Sequence, residues 1–327
     1  MDLKNYKFVV VKPIYGNIYE YCYKDLEGLD NVDLLKGHIN FKSKLEEKIY
    51  LKHFTKKYKL PFRKFWNRKF YKTKFNKNDN LIFIISYVDE NLLKYDSIKY
   101  LKNKYKNSKF VLFLSDLIVH RKLNANFNDV KKMFDAVISF DYNDCNVYGL
   151  HNHPLVYSAP KDNIEVKEDI DVFFCGKAKD RLESIITAFK YLKEKGLNCK
   201  FIISGIPKEK REQIDGLEYL DKFMPYEENL EYIKRSKCLL EIMQEGGNGY
   251  TLRTCEAVAY NKKIITNNKI LKDSEFYDEN MISIFDNIED IDIEFITNQN
   301  GCYKDKNYFS PIKLLEKVVN ILEKQED

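Results

Sequence analysis

The chain lacks most of what would send it into a membrane, a disulfide framework or a metal centre. No apolar run approaches the roughly 20 residues that span a bilayer. The opening MDLKNYKFVVVKPIYG has an apolar core of a few residues and an early acid, which makes a poor secretion signal. Its seven cysteines (22, 145, 175, 199, 238, 255 and 302) are scattered, odd in number and free of CxxC spacing. That pattern excludes a disulfide scaffold or a zinc ribbon and fits a reduced, cytoplasmic protein with buried thiols. His151 and His153 in HNHP form one close histidine pair, but no acid or cysteine stands at ligand spacing beside them, so no metal is expected. Internal repeats and low-complexity tails are missing too, beyond a few charges at the C-terminus.

What is present is length and alternation. At 327 residues the chain is long for a single core and right for two domains of roughly 150 residues each. Short apolar runs read as strands: KFVVV (7–11), LIFIIS (81–86), FVLFLS (110–115), AVISF (136–140), DVFFCG (171–176), CKFIISG (199–205), CLLEIM (238–243) and KIITNN (263–268). Helix-like segments lie between and after them, at 92–105, 127–134, 181–195, 226–236, 251–260 and 308–325. Strand–helix alternation at this spacing predicts parallel α/β layers. The polar run SAPKDNIEVKEDID (158–171) reads as a linker. The expected fold is therefore α/β, with two Rossmann-like domains facing a cleft: 1–158 and 168–307, followed by a terminal helix (308–327) that returns to brace the first. Ligands of open parallel sheets sit beyond the carboxyl ends of the strands, and the candidate residues below fall at such ends.

In the second half, EIMQEGGNGYTLRTCEA (241–257) sets an apolar run, a Gly-rich loop and a helix start in succession. Backbone N–H groups and the helix dipole converge there on an anion. Thr251 is placed to cap the helix, and Arg253 and Glu256 lie three apart on nearby faces, readable as a surface ion pair or as nucleotide ligands. An earlier strand ends in Gly176, Lys177 and Arg181. A glycine lets backbone approach a phosphate closely and two cations neutralise it, although a plain turn with solvated charges has the same composition. In the first half, FLSDLIVHR puts Asp116 at a strand end before His120 and Arg121. A carboxylate there suits a general base, and it suits a helix cap. Asp141 in SFDYND reads as a cap or turn residue.

These stretches carry a resemblance. FFCGKAKDRLESIITAF, with MPYEENLEYIKRSKCLLEIMQEGGNGYTLRTCEAVAYNKKIITNN, resembles the donor domain of GT-B glycosyltransferases, and more narrowly bacterial capsule and lipopolysaccharide transferases that carry a G-(Y/L/F)-T-x-R-x-x-E-A helix. FDAVISFDYNDCNVYGLHNHPLVYS is similar to the same group, and the likeness covers residues 134–268 well and the first 75 poorly. The resemblance implies that Glu256 binds the nucleotide ribose and that Lys177 and Arg181 face the diphosphate. It places Gly176, Tyr226, Gln244, Gly249, Tyr250, Thr251 and Arg253 among the donor contacts. Many retaining members carry a glutamate where Asn248 stands here, so neither anomeric outcome is assigned. The implied activity is transfer of a sugar from a nucleotide-sugar to a cell-surface glycan acceptor, lipid-linked, with Asp116 as base and no metal or other cofactor. The rivals are a sugar-nucleotide epimerase or hydrolase of the same fold and a non-catalytic nucleic-acid- or membrane-binding scaffold.

Net charge is +5, unevenly placed. From Phe41 to Lys77 there are 14 Lys or Arg against two acids, a local balance of +12. Phe62, Phe65, Trp66 and Phe70 share one helical stripe, and Lys64, Arg68 and Lys72 recur every four residues on another. That pattern suits an amphipathic helix at an anionic membrane surface, with Lys64, Phe65, Trp66 and Arg68 facing lipid or acceptor. The composition also suits nucleic acid, a partner not expected here, and aromatics packed on the sheet under solvated lysines. The location that follows is cytoplasmic, peripheral at the inner face of the membrane.

Overall fold

A computed structural model of the chain describes residues 2–13, 17–36, 43–55, 64–67, 72–86, 97–118, 127–161, 166–222, 224–298 and 301–325. The chain divides into two compact units. One takes Met1–Tyr19, Tyr23–His153 and Pro311–Asp327, and the other takes Glu20–Cys22 and Pro154–Ser310.

The first unit is built on a six-stranded sheet: β1 (Lys7–Val11), β2 (Val32–Leu35), β3 (Leu81–Ile85), β4 (Lys109–Leu114), β5 (Ala136–Ser139) and β6 (His151–Asn152), in the order β2-β1-β3-β4-β5-β6. Every pairing is parallel, with Val9 opposite Phe83 and Phe83 opposite Phe110. The inner strands are apolar except at Lys7, Lys109 and Ser139 on their ends, because both faces of a parallel sheet are covered. Around them lie α2 (Lys44–Thr55), α3 (Lys64–Asn67), α4 (Ser97–Lys104), α5 (Phe127–Lys131) and α6 (Tyr142–Tyr148), while α1 (Ile18–Cys22) is divided between the units, its Glu20–Cys22 belonging to the second. Asp141 is buried and caps α6, accepting from the Asp144 N–H at 2.9 Å.

One expectation about this unit needs correction. Of the amphipathic helix read across the basic segment, the described part is α3, four residues long. Arg68 and the Lys64 side chain lie outside the described residues. Trp66 does not face lipid. It is buried in the core with Val9 and Phe83, its ring edge-on to Tyr50 at 5.3 Å and its indole N–H donating to His53 Nδ1 at 3.3 Å. An indole carries the largest apolar surface of any side chain, and packing with its N–H satisfied outweighs exposure. Phe65 beside it is exposed.

The second unit repeats the architecture. Its strands are β7 (Ile170–Lys177), β8 (Cys199–Ser204), β9 (Leu217–Leu220), β10 (Ser236–Glu241), β11 (Lys263–Thr266) and β12 (Ile282–Ile284). They pair in parallel in the order β12-β11-β10-β7-β8-β9. Its helices are α7 (Leu182–Glu194), α8 (Tyr226–Arg235), α9 (Leu252–Tyr260) and α10 (Ile293–Thr297). The last helix, α11 (Pro311–Glu323), belongs to the first unit, where Tyr6 donates to the Glu323 carboxylate. No helix among the described residues is long and apolar enough to cross a membrane.

Candidate functional site

The strand order of the second sheet fixes where a ligand has room. From β7 the chain moves outward through β8 and β9, then crosses back to β10 and moves outward the other way through β11 and β12. The loops leaving β7 and β10 therefore diverge to opposite faces of the sheet, and the gap at their carboxyl ends is the crevice where open α/β sheets bind ligands. Those two loops carry most of the residues singled out in the sequence.

Gly176 and Lys177 end β7, and the loop after it runs from Ala178 to Arg181. Gly176 has an ordinary backbone angle, and a Cβ there would meet Phe174 Cζ at 3.6 Å, a normal contact, so the packing of this unit makes no demand for glycine. Lys177 and Lys179 are exposed. The Arg181 guanidinium donates to the Lys177 carbonyl at 2.7 Å and to the Ile242 carbonyl after β10, tying the two loops together. Burial pulls it below its ordinary pKa, with Asp180 and Glu241 opposing. Among the described residues no side chain caps α7. The orphan N–H groups at the positive end of this thirteen-residue helix lie beside Lys177, Lys179 and Arg181 in the chain.

The Gly-rich loop after β10 is held from both sides. Lys179 donates to the Gln244 side chain, and Asp180 accepts from the Glu245 N–H at 3.0 Å. On the β11 side, Asn267 accepts from the Met243 N–H at 2.8 Å and Asn268 donates to the buried Gly249 carbonyl at 3.1 Å. Gly246 turns the loop at φ +77°, a conformation open to glycine at little cost. Thr251 Oγ1 accepts from the Arg253 and Thr254 N–H groups at 3.1 and 3.4 Å, so α9 satisfies its own N-terminus. Tyr250 is buried with its ring edge-on to Phe276 at 5.1 Å, which packs that side chain into the core.

Sequence reasoning missed what lies beneath. Glu241, the last residue of β10, is buried and accepts from the hydroxyls of Thr251, Thr254 at 2.8 Å and Thr266 at 2.6 Å. An acid inside the apolar run CLLEIM was the available signal. Lys179 and Asp180 gave none beyond their charge.

Arg253 and Glu256 do not form a surface ion pair. The Glu256 side chain is 1% exposed and Arg253 12%, with Nη1 and Oε2 2.7 Å apart. Glu256 Oε1 accepts from the Tyr226 hydroxyl at 2.7 Å and from Asn229 Nδ2 at 3.2 Å. Tyr157 sits 2.8 Å behind, hydroxyl to hydroxyl with Tyr226. Arg253 Nη2 donates to the Cys175 carbonyl at 2.7 Å, one residue before Gly176, and the guanidinium lies over the Phe173 ring. Burial raises the Glu256 carboxyl above its ordinary range, against the pull of Arg253, Tyr226 and Asn229. Burial and the Glu256 charge push the Tyr226 phenol well up. Three buried atoms here have no hydrogen-bond partner among the described residues: Asn229 Oδ1, Glu256 Oε2 and Arg253 Nη1. The last two attract each other by charge without hydrogen-bond alignment.

In the first unit, Asp116 is exposed just past β4, and its Oδ1 accepts from the N–H of the next residue, Leu117, at 3.0 Å. His120 and Arg121 lie outside the described residues. No group of three or more His, Cys, Asp and Glu side chains among the described residues is arranged to hold a metal ion.

Comparison of the sequence with protein-family models and with curated proteins returns no match. The fold does have relatives. An alpha-glucosyltransferase in complex with UDP and a 13-mer DNA containing an HMU base superposes with a TM-score of 0.54 at 12% identity, covering 97% of this chain and 99% of that one. An alpha-glucosyltransferase in complex with UDP gives a TM-score of 0.55 at 11% identity with the same coverage. At this identity the likeness is one of fold: two Rossmann-like α/β units of the GT-B type, matched over nearly the full chain.

Proposed function

We propose that the protein is a nucleotide-sugar-dependent glycosyltransferase whose donor is held by the second unit. One observation carries the reading. At the switch point of that sheet, the uncapped N-terminus of α7 stands beside Lys177, Lys179 and Arg181, a ready site for a diphosphate. The fold likeness supports it, since both solved relatives named above hold UDP. The Gly-rich loop closes the other wall of the crevice, and the buried Tyr226–Asn229–Glu256–Arg253 cluster stiffens it.

In the reaction an acceptor hydroxyl oxygen bonds to the anomeric carbon as the bond from that carbon to the diphosphate oxygen breaks. The nucleoside diphosphate departs with the bonding pair. The helix dipole and the three cations offset the charge that builds on it, so no metal is required. The hydroxyl proton goes to a general base, for which Asp116 is the candidate. The acceptor is a cell-surface glycan of the capsule or lipopolysaccharide class, lipid-linked and met by the first unit at the cytoplasmic face of the membrane.

Calorimetric titration with UDP, GDP, CDP, dTDP, CMP and ADP, with and without EDTA, tests the donor half. Preference for one diphosphate, undiminished by EDTA, is the expected result. A folded protein that binds none loses the donor site and leaves the scaffold reading in front. Incubating the preferred nucleotide-sugar with and without lipid-linked glycan separates transfer from hydrolysis. HMU-containing DNA is the competing acceptor to include, because the relative solved with it shares this fold.

A further inference from the structure

The first unit carries an apolar face that its own core does not use. Helix α2 turns Tyr50 and His53 toward Trp66. At about 100° per residue, Ile49 and Leu45 then fall roughly 100° and 140° away from Tyr50. Lys52, Lys48 and Lys44 continue the same sweep around the far side, about one turn apart. The exposures agree: Leu45 is 68% exposed and Ile49 42%, and the three lysines are exposed beside them. Phe65, in α3, is 55% exposed, its ring 5.8 Å from that of Trp66, against which α2 packs. Two aliphatic residues one turn apart and a row of lysines make up this face of α2, and Phe65 is exposed on the short helix that α2 packs against, inside a segment whose charge balance is +12.

We propose that this face of α2, with Phe65, docks on an anionic lipid bilayer. Charge complementarity selects the occupant. Lysines flanking a narrow apolar strip place their ammonium groups at headgroup level while the strip enters the acyl boundary. Three side chains are too few for a stable contact with a second copy, which needs on the order of 800 Å² from each partner. Leu45 and Ile49 have no flat face to stack on a base and Phe65 offers a single ring, whereas single-stranded nucleic acid is held by successive aromatic platforms. The proposal deepens the acceptor half of the proposed function by naming the surface that meets the membrane. Vesicle binding reads it without nucleotide, so a failed donor site and a failed docking face give different results.

The test uses the full chain and phosphatidylcholine vesicles with or without phosphatidylglycerol. Flotation with the anionic vesicles only, weakening as salt rises, is expected. Leu45→Ser with Ile49→Ser lowers the affinity about tenfold, and Lys44→Gln with Lys48→Gln and Lys52→Gln about a hundredfold. Trp66, the single tryptophan, reports depth: brominated acyl chains quench its emission if α3 lies against the bilayer. Unchanged Trp66 emission without vesicles shows that each variant is folded. If the serine pair unfolds, the glutamine triple at exposed positions still decides. Absence of binding to anionic vesicles, variants that float like the parent, or DNA binding without vesicle binding would each overturn the proposal. So would concentration-dependent dimerisation abolished by the serine pair.

Discussion

Helices α7 and α9 start at neighbouring strand ends of one sheet, and both follow loops with the look of anion sites. Their N-termini are finished differently. Thr251 caps α9 from within, its Arg253 cation is paired inside the fold with Glu256, and the preceding loop is bonded on both flanks. Among the described residues no side chain caps α7, and Lys177 and Lys179 at its head are exposed. The glycine-rich stretch that looks most like a phosphate loop is therefore the better satisfied of the two, and the plainer GKAKDR turn is the one with donors to offer. Glycine content marks a turn; an accounting of caps marks a site.

Substitutions can break this contrast. The largest effect is expected at Glu256, where alanine leaves Arg253 buried without its counter-charge and costs about 3–5 kcal/mol of stability. A guanidinium melt measures it. Full stability with lost nucleotide affinity would return Glu256 to a direct ribose role and place ligand chemistry at α9. Next is Lys177→Ala, which should weaken diphosphate binding about tenfold, roughly 1.4 kcal/mol, while the melt stays put. Gly176→Ala should behave alike, since only a ligand would meet the added methyl closely. Unchanged affinity in both would close the α7 site. Thr251→Ala removes a cap and should cost about 1 kcal/mol, with nucleotide affinity held within twofold in the folded protein.

The smallest effect is a slope. Because burial raises the Glu256 carboxyl, the native chain holds that proton more tightly than the unfolded one. The contribution of this group to stability is present below its ordinary value of 4.5, declines as pH rises from there to the raised value, and is flat beyond. Glu256→Gln, which does not titrate, should remove that decline. Melts of both proteins across the acidic range compare the slopes, and identical slopes would mean that Glu256 titrates normally.

How much of this was legible beforehand follows from position in the sheets. The eight strands read from the sequence are the inner strands of the two sheets. The four it missed, β2, β6, β9 and β12, are the edges. Inner strands are buried on both faces and read as unbroken apolar runs. Edge strands are two to four residues long and carry Asp33, His151, Glu218 and Ser283, which resemble loop. At the site, Thr251 and the Arg253–Glu256 spacing were visible, but their burial was not. The partners that bury them, Tyr226, Asn229 and Cys175, come from two other elements far along the chain.

Sequence by itself determined the alternation of strand and helix, the two halves, the basic segment in the first and the glycine turns in the second. These are local properties, set by apolar period and backbone preference within a few residues. Tertiary structure decided which helix N-terminus has a side-chain cap, which arginine is paired with a buried carboxylate, and that Trp66 belongs to the core while Leu45 and Ile49 face outward. Those outcomes turn on which groups distant in sequence arrive at one place to satisfy or cover each other. Burial and hydrogen-bond satisfaction are properties of that meeting and not of any residue alone.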